Sequence, residues 1–372
     1  PGSEDTGNGQ GEDTGAGDYA RAMGPDERTA NPEGGDSLFF RIVNRNKKSL
    51  RLDLKQAAGV EIFLRLAHDA DVIFESFRPG VVDKLGIGYE VVKAFNPRIV
   101  YCAITGYGQT GPWADLAGHD LNYLAISGLL DQIGTHDGIS SGAPAIPNLQ
   151  IGDLLGGALT PLLGVLAAVI GAKATGLGSH VDVAMTDAVL AHNIFPLVTT
   201  LAHGKPAPRG ADLLTGGVPC YGVYRTADER YLAVGALEPK FWERLCTVID
   251  RPDLAPFGLA TGSEGRRTKS ELASVIASHP LTHWQTVFAG TDCCVTPVLR
   301  LDETLKHPQI VARKMVAEVS GTKQFAPPYK LSSWPWETAA PAPKSGADND
   351  VVLAEVGFTE SEIAAFRQAR VI

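Results

Sequence analysis

"DVIFESFRPGVVDKLGIGYEVVKAFNPRIVYCAITGYGQTGP", Asp71 to Pro112, decides the fold class. The runs "DVIFES" and "RIVYCAI" have the length and β-branched content of buried strands, and Val91 to Phe95 between them has helical spacing. Strand–helix–strand alternation with short connections predicts a parallel sheet covered by helices. Ligands of such sheets collect beyond the carboxyl ends of the strands. The loops "FRPGVVDKLGIG" and "TGYGQTGP" occupy those ends.

Outward from this unit, "AAGVEIFLRLAHDA" repeats apolar residues at helical spacing, and "FFRIV" and "LRLDL" read as strands. Downstream, nineteen uncharged residues run from Leu154 to Ala172, which is within transmembrane length. Four glycines and Pro161 make them a poor isolated span, and the expectation is a helix at the centre of a core. "SHVDVAM" then reads as a strand and "TDAVLAHNIFPLVTTLAHG" as one long helix. "CYGVYRT" and "RYLAVGAL" are strand-like, while "FWERLCTVI" and "THWQTVFAG" are amphipathic helices. "FTESEIAAFRQA" is a terminal helix with Thr359 at its N-cap. The expected fold is α/β, an open parallel Rossmann-like sheet in a large domain over 38–200 plus a smaller α+β domain over 201–325. Residues 1–37, rich in Gly, Asp and Glu without apolar periodicity, read as a loop or disordered arm.

The chain has 372 residues, 44% of them apolar, enough for a sizeable core. A net charge of −9 argues against general nucleic-acid binding. Five scattered cysteines build no disulfide framework, and Cys293–Cys294 has no metal-ligand spacing. With no secretory leader pattern at Pro1 and no peroxisomal address in "ARVI", cytoplasm is the expected compartment. The sequence offers no zinc-type cluster, so no metal is expected.

Chemistry-bearing residues cluster at glycine-rich junctions. "NRNKKSLRLDLK" holds Arg45, Lys47, Lys48, Arg51 and Lys55, and Arg78 and Lys84 flank the glycine turn of "FRPGVVDKLGIG". These are solvated strand-edge charges or a cradle for the phosphates of a nucleotide-bearing ligand. His119 in "GHDLNYLAISG", Asp153 in "GDLLGG" and Glu238 in "GALEP" each stand where a capping residue would. Meeting in one cleft, they could instead remove a proton from one face of a carbon and return it to the other.

The pieces "NRNKKSLRLDLK", "SFRPGVVDKLGIG", "YCAITGYGQTGP", "GHDLNYLAISG", "GDLLGG", "GGVPCYGVYRTAD", "AVGALEPKFW" and "GTDCCVTPVL" occur in that order. In them the chain resembles the family III CoA-transferase (CaiB/BaiF-like) superfamily, and within it the alpha-methylacyl-CoA racemases. The resemblance implies acyl-CoA thioester substrates, no cofactor beyond their CoA moiety, and an interlocked homodimer with residues 326–372 returning to the large domain. It assigns His119 and Asp153 as the two proton carriers and Glu238 as the support of the histidine, contributed by the partner subunit. Contacts to CoA carry over onto Leu52, Asp53, Leu54 and Lys55, onto Phe77 and Arg78, and onto Gly118, Asp120, Asn122 and Tyr123. Lys84 stands where the family usually has Arg, keeping the charge without the fork. The alternative branch uses the Asp153 position as a nucleophile in CoA transfer between carboxylic acids. Transferases of the formyl-CoA kind carry about four glycines where this chain reads "TGGVP". The family's opening strand, helix and strand have no counterpart before Pro1, so a shortened N-terminus is expected.

Overall fold

The computed structural model describes residues 4–6, 9–12, 17–24, 26–30, 35–137, 139–334 and 340–372, and of 4–6, 9–12 and 27 only the backbone. The chain divides into two compact units, one of residues 1–123, 150–189 and 307–372, the other of 124–149 and 190–306.

The first unit is built on a six-stranded sheet of order β3-β2-β1-β4-β5-β6. Its strands are β1 (Glu4–Thr6), β2 (Gly9–Glu12), β3 (Lys48–Arg51), β4 (Val72–Glu75), β5 (Val100–Thr105) and β6 (Ser179–Ala184). β4, β5 and β6 pair in parallel, Val72 opposite Val100 and Val100 opposite Ser179. This is the parallel arrangement expected from Asp71–Pro112. β2 is parallel to β3, and β1 alone runs against its neighbours. The arm expected over residues 1–37 thus contains two strands between β3 and β4. Backbone pairing needs no apolar periodicity, so the sequence pattern carried no sign of it.

The helix Ala57–Asp69 sets Ile62, Phe63 and Ala67 against Leu50, Leu52, Ile73 and Tyr101. Leu353, Phe358 and Ile363 from the C-terminal helices Asn349–Glu355 and Glu360–Gln368 complete this core. Thr359 caps the last helix as expected: its hydroxyl accepts from the Glu362 N–H at 3.3 Å, and the Glu362 carboxylate accepts from the Thr359 N–H at 2.7 Å. The hairpin of β10 (Val316–Val319) and β11 (Thr322–Phe325), placed by sequence in the small domain, belongs to this first unit.

Three expectations are corrected. "FFRIV" is not a strand but the helix Leu38–Val43, because the Ser37 hydroxyl accepts from the Phe40 N–H at 3.0 Å and starts a helical turn. The run from Thr186 to Gly204 is two helices, Met185–Ala191 and Ile194–His203. Pro196 has no N–H to give an interior turn, so the chain restarts and places it in the first turn of the second helix. The apolar segment Gly152–Thr175 is continuous helix, long and apolar enough to cross a membrane, but is not a buried core helix. Val165, Ala168, Val169 and Ala172 pack on Val100, Cys102 and Val183, while Leu163 and Ile170 are 60% and 70% exposed.

The second unit is built on the antiparallel sheet of β7 (Tyr221–Arg225), β8 (Tyr231–Gly235) and β9 (Val295–Pro297). Helices Pro239–Val248, Gly262–Ile276 and Leu281–Val287 cover it through Trp242, Leu245, Leu272, Ile276 and Trp284. The two indole N–H groups donate to Leu254 O and Ile276 O, so neither is buried unsatisfied. Cys220, Cys246 and Cys293 are buried free thiols and Cys294 is exposed.

Candidate functional site

The carboxyl ends of β4, β5 and β6 share one edge of the first sheet. The loop after β5 carries two glycines that exist to admit one ring. A Cβ on Gly106 would strike Tyr123, and one on Gly118 would lie 2.7 Å from the Tyr107 hydroxyl and 2.8 Å from Cε1 of Tyr123. Tyr123, buried, donates its hydroxyl to Gly118 O at 2.6 Å. Burial first, then Tyr107, Asp153 and Asp120, push that hydroxyl up to about 12, so it stays a proton donor. The ring therefore pins the loop to the helix Asp120–Ile126 that follows it.

His119 precedes that helix. Its backbone N–H donates to Asn122 Oδ1 at 3.0 Å and its carbonyl accepts from the Asn122 N–H at 2.8 Å. The imidazole is exposed and makes no hydrogen bond among the described residues. Asp153 is not the N-cap of its helix either. It is the second residue of the wide-turned segment Gly152–Leu159, and its N–H donates to Asp120 Oδ1 at 3.0 Å. The cap therefore comes from Asp120, and the Asp153 carboxyl is left unused. Gly152 makes this approach possible, since a Cβ there would lie 3.0 Å from Asp120 Oδ1. Gly156 lies against Met185, where a Cβ would meet Cα at 2.8 Å. These two contacts explain the spacing of "GDLLGG".

His119, Asp120, Tyr123 and Asp153 thus converge. The Asp153 carboxyl is held above the usual carboxylate range, by burial first and then by Asp120, with His119 pulling it back down. The helix start at Asp153 already holds an anionic oxygen on its N–H, the geometry of an oxyanion acceptor.

Glu238 is in the second unit and is also unspent. It is the N-cap residue of Pro239–Val248 by backbone, but its exposed side chain makes no capping bond. In all three candidates the main chain does the structural work and the titratable group is free of it.

The basic residues separate into two sets. Arg45 donates to Gln324 Oε1 and Phe325 O on β11, Lys47 to Asn44 Oδ1, and Lys48 pairs with Glu355 at 2.7 Å. These three act in structure. Lys55, Arg78 and Lys84 are exposed, without an ion pair among the described residues. Of "LDLK", Leu52 is core and Leu54 packs on it. Asp53 accepts from Gln56 Nε2 and from the Lys55 N–H, which together hold its carboxyl below the usual range. Phe77 is half-buried on the same core, and its N–H donates to Glu75 at 2.7 Å.

Tyr107, the capping role of Asp120 and Glu75 were missed in the sequence. Glu75 is 4% exposed at the end of β4, and burial, opposed by the Phe77 N–H, raises its carboxyl to about 7. An acid inside the apolar run "VIFE" was the available signal. Among the described residues no group of three His, Cys, Asp or Glu could hold a metal ion.

The family described as CoA-transferase family III matches residues 12–349, and the chain belongs to it. The chain is similar to an alpha-methylacyl-CoA racemase of Homo sapiens, with 35% identity over 89% of this chain and 86% of that protein. It is also similar to an acetyl-CoA:oxalate CoA-transferase of Acetobacter aceti, with 33% identity over 84% of this chain and 80% of that protein. Among solved structures, a CAIB/BAIF family protein from Brucella suis superposes with a TM-score of 0.80 at 26% identity. That match covers 94% of this chain and 91% of the other.

Proposed function

We propose that this enzyme epimerises 2-methylacyl-CoA thioesters by proton transfer at the α-carbon. The observation that carries the reading is the convergence of an unspent imidazole and an unspent, upshifted carboxyl at one helix start. A thioester carbonyl delocalises an α-carbanion better than a carboxylate, whose own charge opposes a second one. His119 and Asp153 address opposite faces of Cα, one removing the proton and the other, protonated, returning one. A carboxyl held above its usual range keeps a proton more readily than an ordinary carboxylate does. The Asp153 N–H stabilises the enolate oxygen, which must displace Asp120 Oδ1 from it. Lys55, Arg78 and Lys84 provide cations for the phosphates of CoA.

Two further assignments follow from the family resemblance and from the exposed apolar helices. Glu238 supports the His119 imidazole from a second copy of the chain. That copy covers the apolar face of Gly152–Thr175 and of Ile194–His203, where Leu201 is 76% exposed. Apolar faces of this extent on separate helices are characteristic of protein contact surfaces.

Incubating the protein with one 2-methylacyl-CoA epimer in deuterated water gives α-deuterium uptake and epimerisation with no second acid present. The similarity to a CoA-transferase supports a second reading, in which Asp153 forms an anhydride and passes CoA between carboxylic acids. CoA transfer from the thioester to a free acid, with hydroxylamine-sensitive labelling of Asp153 and no α-exchange, would replace the first reading by the second.

A further inference from the structure

The second unit encloses a cavity of about 540 Å³ that the proposed reaction does not use. Lys269, His136, Cys294, Tyr221 and Thr296 line it, together with glycines that keep its walls low. No Asp or Glu is among its lining residues.

Lys269 is the anomaly. It lies on the helix Gly262–Ile276, half-buried, and its ammonium donates to Gly216 O at 2.5 Å. That leaves two of its three donors available. Burial alone pushes its ammonium below the usual lysine range, with no acid opposing the shift. Shielded cations elsewhere in the same unit have a carboxylate: Arg209 pairs with Asp131, Arg230 with Glu303 and Arg251 with Asp253. Among the described residues none pairs with Lys269. His136, neutral or cationic, supplies no counter-charge, and the neighbouring Asp137 is not among the lining residues. A cation drawn partly out of water, facing a ligand-sized space without acids, is stabilised by an anion entering that space.

We propose that this cavity is an oxyanion-binding site in which Lys269 receives a carboxylate or phosphate group of a small ligand. All the lining residues belong to the second unit, and the proposal does not depend on the racemase reading.

Cys294 supplies a local reporter, since it lines the cavity and is the exposed one of the five free thiols. The whole protein is treated with Ellman's reagent while succinate or inorganic phosphate is titrated in, with chloride at matched ionic strength as the reference. Loss of the fast phase in C294S assigns that phase to Cys294. The expected result is saturable slowing of the fast phase by one of the two anions. K269Q weakens that binding about tenfold or more, as loss of a charge-assisted hydrogen bond does, and K269R retains it. Slowing by succinate alone assigns a carboxylate ligand, and slowing by phosphate alone a phosphate-bearing one. Equal slowing by chloride, no slowing by either anion, or unchanged affinity in K269Q overturns the proposal. If K269Q does not fold, saturation beyond chloride in the wild type and in K269R decides it. No turnover is needed, so this test can fail while α-exchange stands, and the reverse.

Discussion

The carboxylate of Asp120 holds the backbone N–H of Asp153 at 3.0 Å, and the same charge raises the Asp153 carboxyl. One side chain thus caps a helix and tunes its neighbour. Asp120→Asn keeps an acceptor oxygen and removes the charge, so Asp153 moves down toward the ordinary carboxylate range. The acidic limb of the pH–rate profile for the direction in which ionised Asp153 takes the proton shifts to lower pH. Deuterium exchange measured across pH reads this. Asp120→Ala also loses the cap, costing about 1 kcal/mol of stability in denaturant titrations.

Removing either proposed proton carrier slows epimerisation without unfolding the chain. His119→Ala and Asp153→Asn each lower the epimerisation rate by about 10²–10⁴-fold, while the base that remains still exchanges the α-proton on its own face. Their thermal midpoints stay close to the wild type, because neither side chain makes a hydrogen bond among the described residues. A variant that still epimerises at the wild-type rate removes its residue from the mechanism.

Glu75 makes stability fall with rising pH. Its folded carboxyl sits at about 7 against an ordinary 4.5, so folded protein retains a proton the unfolded chain has released. The contribution is whole below the ordinary value and is lost as pH rises through the folded one, by at most roughly 3 kcal/mol. Glu75→Gln flattens that part of the profile and is the more stable protein at pH above about 8. Urea denaturation at several pH values checks both.

Two glycines of one apolar helix respond in opposite directions. Gly156→Ala drives a methyl against the Met185 backbone at 2.8 Å, costing about 1–3 kcal/mol. At Gly171 nothing lies within 4 Å of an added Cβ, so Gly171→Ala stabilises by about 0.5–1 kcal/mol. Denaturant midpoints of the two variants separate the cases.

The exposed apolar face tests the proposed second copy. Leu163→Glu with Ile170→Glu places two charges on side chains that are 60% and 70% exposed in the single chain. The unit's own core is spared, so the variant folds and its mass by light scattering falls from dimer to monomer. An unchanged mass moves the interface elsewhere.

Local pattern sufficed for much of this. The period-2 and period-3.6 runs of Asp71–Pro112 specified parallel strands with a helix between them, and Thr359 with Glu362 marked a capping box, because these depend on near neighbours. The positions of His119, Asp153 and Glu238 at element junctions were legible for the same reason. What was not legible depended on contacts between distant residues. Ser37, whose hydroxyl also donates to Ala20 O at 2.6 Å, turned an apolar run from strand to helix. Backbone pairing, which has no side-chain signature, drew the N-terminal segment into the sheet. That Asp120, thirty-three residues away, caps Asp153, and that half of an apolar helix faces outward, are consequences of packing. Composition states which groups prefer to leave water. Only the tertiary arrangement decides which of them succeed, and which carboxyls and imidazoles remain free for chemistry.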